Sequence, residues 1–109
     1  MRYGLVGASG RMGGEIRKAF AAHELTFSLD VGGETHDAAP QVLVDFSLPA
    51  AFPSTVAVAR RFVCPLVIGT TGLSAEQLAE LRTLGEQVAV VQSFNFATGV
   101  TLLKMMLRE

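Results

Sequence analysis

Three observations predict an α/β fold, a doubly wound parallel sheet in three αβα layers. Short apolar runs alternate with stretches of helical periodicity along the chain, the pattern of strands buried on both faces beneath covering helices. The first run, Tyr3-Gly4-Leu5-Val6, passes directly into Gly7-Ala8-Ser9-Gly10-Arg11-Met12-Gly13, which opens an amphipathic stretch over 12–22. The second run, over 25–29, ends on an acid, Asp30.

Each element follows from its residues. Residues 2–6 read as the first strand. The first helix sets Met12, Ile16, Ala19 and Phe20 on one face and Glu15, Arg17 and Lys18 on the other, the 3.6-residue period of a half-buried helix. Residues 25–30 form the second strand. The stretch 32–41 is short and polar, with Gly32-Gly33 and Pro40, and reads as a loop. Val42-Leu43-Val44-Asp45-Phe46 is the third strand, and 50–62 a helix in which Pro53 is tolerated because it falls in the first turn. Leu66-Val67-Ile68 is the fourth strand. Ser74 as N-cap with Gln77 three residues on makes a capping box, so a helix runs from Ala75 to about Leu84. Residues 88–92 are the fifth strand, and a further helix begins near Val100. The economical strand order is 2-1-3-4-5, because the loop after the second strand can cross the sheet edge.

Composition bounds the function. The chain has 109 residues, 50% of them apolar and 17% charged, with a formal net charge of −1. That is one globular domain with enough apolar residues for a core. Near-neutral charge without a Lys/Arg cluster argues against nucleic acid or an anionic membrane as partner. No apolar stretch approaches a membrane span, and no signal-peptide core precedes the first strand, so the expected location is cytoplasmic. The single cysteine, Cys64, stands before Pro65 at the start of a strand and reads as a small buried residue.

The chemistry lies in the loops that leave the carboxyl ends of the strands, where open parallel sheets bind ligands. Glycines at 7, 10 and 13 let the backbone turn tightly and approach an anion. The unpaired amides of the following helix then point at phosphate oxygens. The spacing G-x-x-G-x-x-G is one residue wider than the common dinucleotide fingerprint, but Asp30 stands about 20 residues further on, where a Rossmann unit puts the carboxylate for an adenosine ribose. Phe46-Ser47, Gly69-Thr70-Thr71-Gly72 and the stretch 93–99 leave strands at the same rim. The Gly-Thr-Thr-Gly turn offers amides and hydroxyls suited to a carboxamide or a ribose.

In this order, Gly7 to Gly13, Val44-Asp45-Phe46-Ser47-x-Pro49, Gly69-Thr70-Thr71-Gly72 and Asn95-Phe96-x-x-Gly99-Val100 resemble the N-terminal half of the 4-hydroxy-tetrahydrodipicolinate reductase (dihydrodipicolinate reductase) family. The resemblance covers essentially the whole chain. It implies a Rossmann domain over 1–99 that binds NADH or NADPH in diaminopimelate and lysine biosynthesis, with 100–109 starting the helix into a substrate domain. Carried onto matched positions, Gly7, Ala8, Ser9, Gly10, Arg11 and Met12 cradle the pyrophosphate and Asp30 holds the adenosine ribose. Phe46 and Ser47 belong to the same cofactor rim. Gly69, Thr70 and Thr71 flank the nicotinamide, together with Ser93, Phe94, Asn95 and Phe96. The family usually reads Asn-Phe-Ser where this chain has Ala97 in the third place, which removes a hydroxyl.

The family's His-His-x-x-Lys-x-Asp-x-Pro-Ser-Gly-Thr segment, which grips the dicarboxylate substrate and supplies a proton, has no counterpart in these 109 residues. His23 and His36 read as solvated surface residues, and Lys104 and Arg108 as the polar face of a helix. No catalytic residue and no metal ligand is assigned, and the 109-residue chain alone is expected to be inactive. Asp30 repels a 2′-phosphate and accepts from a free 2′-hydroxyl, so NADH is the expected preference with NADPH tolerated. Val31, Gly32 and Gly33 provide no basic partner, although Arg11 could swing over the adenosine. The apolar run Val100, Leu102, Leu103, Met105, Met106 and Leu107 offers a surface for self-association. Two alternatives stay open: a non-catalytic dinucleotide sensor, and the cofactor domain of another amino-acid dehydrogenase.

Overall fold

The computed structural model describes residues 1–8, 10–93, 101 and 105. In chain order the elements are β1 (Arg2–Val6), α1 (Arg11–Ala19), β2 (Glu24–Asp30), β3 (Gly33–His36), β4 (Leu43–Asp45), α2 (Phe52–Phe62), β5 (Leu66–Ile68), α3 (Ala75–Leu84) and β6 (Val90–Gln92). One sheet of six strands runs β3-β2-β1-β4-β5-β6. The five strands expected from the sequence are parallel and stand in the expected order.

Side chains alternate across this sheet with the two-residue period of a strand. Val6, Phe27, Leu43, Leu66 and Ile68 face one side, where Phe52, Val56 and Ala59 of α2 and Leu81 and Leu84 of α3 cover them. Tyr3, Leu5, Val44 and Val67 face the other, where Ile16 of α1 and Phe20 just beyond it cover them. Three layers result. Among the described residues, no helix is long and apolar enough to cross a membrane.

Position of α1 is set by the absence of a side chain at Gly13. A Cβ there would stand 2.4 Å from the carbonyl oxygen of Gly7 and 2.6 Å from that of Ala8, well inside van der Waals contact. Only a glycine lets the helix start this close to the end of β1, the packing role of the third glycine in dinucleotide folds. Arg17, in the last turn of α1, donates from its guanidinium to the carbonyl of Ala8, tying the helix back to the turn it grew from.

Two sequence expectations need correction. The stretch 32–41 is not all loop, because residues 33–36 form β3, antiparallel to β2 and joined to it through Val31 and Gly32. A polar strand exposed at all four positions shows no apolar alternation to betray it. His36 is on that strand with its ring 5.1 Å from Phe62 and 5.9 Å from Phe27, so it is exposed but packed. His23 likewise is half-buried, with its ring 6.0 Å from Phe20. The helix over 50–62 opens as a 3-10 turn at Pro49–Ala51, and Pro53 does fall in the first turn of α2. Thr101 and Met105 are helical and exposed. The rest of the helix expected from Val100, including Lys104 and Arg108, lies outside the described residues.

Cys64 is 3% exposed, and burial pushes its thiol up to about 11. Two outcomes follow. Gly13→Ala is expected to destabilise the fold by about 1–3 kcal/mol or more through overpacking, read from the midpoint of denaturant unfolding. Cys64 is expected to stay unmodified by a thiol reagent at neutral pH until the chain unfolds. Because folding favours its protonated form, its contribution is intact below the ordinary thiol range and is lost as pH rises toward about 11.

Candidate functional site

A cavity of about 570 Å³ opens at the carboxyl ends of β1, β2 and β4, inside the size range of roughly 300–1,000 Å³ typical of ligand sites. Gly7, Gly10, Arg11 and Met12 form its floor at the start of α1. Leu29, Asp30 and Val31 form one wall, and Phe46, Ser47, Leu48, Ala50, Ala51 and Ser54 the other. Gly7 turns at φ +79°, with space for a Cβ blocked by Ser47 at 2.9 Å. The turn therefore lies directly against the loop after β4.

Polarity in this cavity is placed at two points. Gly10, the N-cap of α1, brings no side-chain acceptor, and the first turn carries no acid. The amides of Arg11, Met12 and Gly13 belong to the first turn, where helix geometry provides no carbonyl partner. Their partial positive charge makes the floor suited to an anion. The helix α3 shows the contrast: Ser74 and Gln77 close its N-terminus with a reciprocal capping box.

Asp30 is the second point. Its Oδ1 accepts from the amide of Gly32 at 2.8 Å, which fixes the carboxylate on the hairpin turn. Its Oδ2 meets no donor among the described residues. One oxygen holds the loop and the other is available to a hydroxyl.

Asp45 stands within Val44-Asp45-Phe46-Ser47-x-Pro49, a motif from which no role for it is legible. It is fully buried at the end of β4 and forms no ion pair among the described residues. Its Oδ1 accepts from the amide of Ser47 at 2.8 Å and from the Ser47 hydroxyl, while Oδ2 accepts from the Thr55 hydroxyl at 2.7 Å. Three donors replace lost water, as a buried carboxylate requires. The result pins the cavity's second wall to α2. Its signal in the sequence is a charge embedded in an apolar strand.

Beyond Phe46 the rim continues. The ring of Phe46 lies on Gly69, where a Cβ would stand 2.0 Å from Cε1 and 2.8 Å from the Ser93 carbonyl. The amide of Gly69 donates to Asp45 O at 2.7 Å and that of Ser93 to Ile68 O at 2.9 Å. Thr70 is buried, and its hydroxyl has no partner among the described residues. Thr26, the extra residue where the β1–β2 register shifts, is in the same condition away from this rim, so an unpaired threonine hydroxyl does not by itself mark a site.

Of the residues expected at the site, Gly7, Gly10, Arg11, Met12, Asp30, Phe46 and Ser47 come together around the cavity. Ala8 is buried beneath the turn. Gly69, Thr70, Thr71 and Ser93 follow the next strands of the same rim and do not line that cavity. Ser9, Phe94, Asn95 and Phe96 lie outside the described residues.

A family model described as dihydrodipicolinate reductase, N-terminus, matches residues 28–96. The chain belongs to that family. It is 37% identical over its whole length to a 4-hydroxy-tetrahydrodipicolinate reductase of Thermosipho africanus, of which it spans 51%. It is 36% identical over 94% of its length to one from an Exiguobacterium species, of which it spans 44%. The chain thus spans about half the length of these curated relatives. A dipicolinate-bound dihydrodipicolinate reductase from Paenisporosarcina superposes with a TM-score of 0.72 at 23% identity, covering 90% of this chain and 48% of that one. That likeness shows the fold.

Thr55→Val removes the hydroxyl that satisfies Asp45 Oδ2 and is expected to cost about 1–3 kcal/mol, because a buried carboxylate oxygen is left unpaired. Thr55→Ser is expected to recover most of it. Urea unfolding of both variants checks this, and an unchanged midpoint for Thr55→Val contradicts the account of Asp45.

Proposed function

We propose that this chain binds a nicotinamide dinucleotide and serves as the cofactor-binding half of a 4-hydroxy-tetrahydrodipicolinate reductase in diaminopimelate and lysine biosynthesis. The observation that carries the reading is the pairing of an uncapped helix N-terminus with Asp30 across one cavity. A pyrophosphate suits the first and a ribose hydroxyl the second. The family membership and the reductase relatives support the same reading. A cytoplasmic location goes with it.

In this reading residues 1–99 form the dinucleotide-binding unit, and 100–109 begin the helix into a substrate domain. Gly7, Ala8, Ser9, Gly10, Arg11 and Met12 hold the pyrophosphate. Asp30 holds the adenosine ribose, and Phe46 and Ser47 close the wall beside it. Gly69, Thr70 and Thr71, with Ser93, Phe94, Asn95 and Phe96, flank the nicotinamide. The Thr70 hydroxyl, without a partner among the described residues, suits the carboxamide there. When bound, the reduced nicotinamide supplies a hydride. Gripping a dicarboxylate and delivering the accompanying proton need groups of the family's His-His-x-x-Lys kind, and no segment of these 109 residues resembles it.

Cofactor preference follows from charge. The Asp30 carboxylate disfavours a 2′-phosphate, and Val31, Gly32 and Gly33 bring no cation to offset it. The 109-residue chain is therefore expected to bind NADH more tightly than NADPH and to show no reductase turnover alone. Asp30→Ala is expected to weaken NADH about tenfold, as loss of a hydrogen bond to a charged group implies, and to narrow the preference. Calorimetric titration with both nucleotides tests this. No heat from either at millimolar concentration overturns the function, and a clear preference for NADPH overturns the role of Asp30.

A further inference from the structure

The edge strand β3 raises a question that the cofactor site leaves unanswered. All four of its residues are exposed, and an edge hairpin of this length has little stability of its own. Yet its turn carries Asp30 and Val31, which form a wall of the cavity. Something must hold it.

That support comes from the far end of α2. Arg61, in its last turn, donates from Nη1 to both carboxylate oxygens of Glu34, each at 3.1 Å. Its Nη2 lies 3.3 Å from Nδ1 of His36, and its guanidinium carbon 4.7 Å from the centre of the Phe62 ring. Phe62 packs edge-on against His36 at 5.1 Å and against Phe27 of β2 at 5.4 Å. Among the described residues, apart from its ladder with β2 and the His36 ring against Phe27 of that strand, the polar and ring contacts of β3 go to Arg61 and Phe62.

Register makes this grip relevant to the site. Glu34 stands opposite Leu29 and Gly33 opposite Asp30. Arg61 therefore seizes the strand one residue past the pair that closes the hairpin. Glu34 and His36 are two apart, so both face the same side of the strand and one planar guanidinium reaches both. The segment leading into α2 and its first turn, Ala51 and Ser54, line the opposite wall of the cavity. One helix thus supports both walls.

We propose that Arg61, acting through Glu34, is a positioning residue that holds the β2–β3 hairpin so that the Asp30 carboxylate meets the cofactor ribose. This rests on the reading above in which Asp30 takes that ribose. An exposed ion pair contributes little to global stability, so its removal acts locally, on Asp30, rather than on the whole fold.

A double-mutant cycle on NADH affinity tests it, using the full 109-residue chain with thermal unfolding measured alongside. Arg61→Ala is expected to weaken NADH about fivefold when Asp30 is present and not at all in the Asp30→Ala background, the signature of two coupled residues. Glu34→Gln, which keeps the side-chain volume, is expected to repeat the pattern and carries the cycle if Arg61→Ala does not fold. The exchange Glu34→Arg with Arg61→Glu is expected to recover most of the affinity. Equal losses in both backgrounds, or no loss with Asp30 present, overturn the positioning role while the cofactor site stands. Absence of NADH binding by the unaltered chain overturns the site and this inference together.

Discussion

The close approach of Gly13 to the carbonyls of Gly7 and Ala8 is the constraint on which the rest depends. It brings the start of α1 against the end of β1, and that position fixes where the unpaired amides of the helix point. Both ends of the helix are held by the same turn, since Arg17 reaches back from the last turn to Ala8. Ile16, together with Phe20 beyond the helix, fills the layer beneath. A side chain at residue 13 would lift the helix and move its dipole away from the cavity, so packing and ligand geometry are set by one missing methyl group.

The opposite wall obeys a second constraint, the burial of Asp45. A buried carboxyl is tolerated there because Ser47 and Thr55 supply three donors. Those donors belong to the loop after β4 and to α2, so satisfying the carboxyl also joins the two. Phe46 lies between this wall and the Gly69 turn. The rim is therefore one continuous packed surface: the backbone of Gly69 bonds to Asp45, and that of Ser93 to Ile68.

How much of this is legible in the sequence depends on the range of the interaction. The five parallel strands and three helices show in local periodicity, because each buries an apolar face on a layer above or below. Asp30 and the glycine turn are legible as candidates because dinucleotide-binding folds carry a recurring spacing along the chain. The strand β3 is not, since Gly33, Glu34, Thr35 and His36 bury no face; its only signal is the two-residue link Val31-Gly32. Arg61 is equally silent. Its partners stand 27 and 25 positions away, and a basic residue in the last turn of a helix already has a local explanation in the helix dipole. Gly69, Thr70 and Thr71 are legible as rim residues, but their separation from the cavity is not. That follows from β4 lying between β1 and β5 and from the Phe46 ring above Gly69.

The N-termini of α1 and α3 contrast in their caps, while α2 resembles α1 in having neither a side-chain cap nor an acid in its first turn. At α3, Ser74 accepts from the Gln77 amide, the Gln77 side chain accepts from the Ser74 amide, and Glu76 complements the dipole. A cap of that kind contributes on the order of 1 kcal/mol. At α1 the cap is a glycine, and the first turn has no acid, so that contribution is forgone where the backbone could readily accept it. A charge-complementary group is thus wanted at α1 and redundant at α3. Asp30, which lines the same cavity, accepts from its own hairpin amide. Among the described residues, no side chain caps α1 and no acid complements its dipole in the first turn.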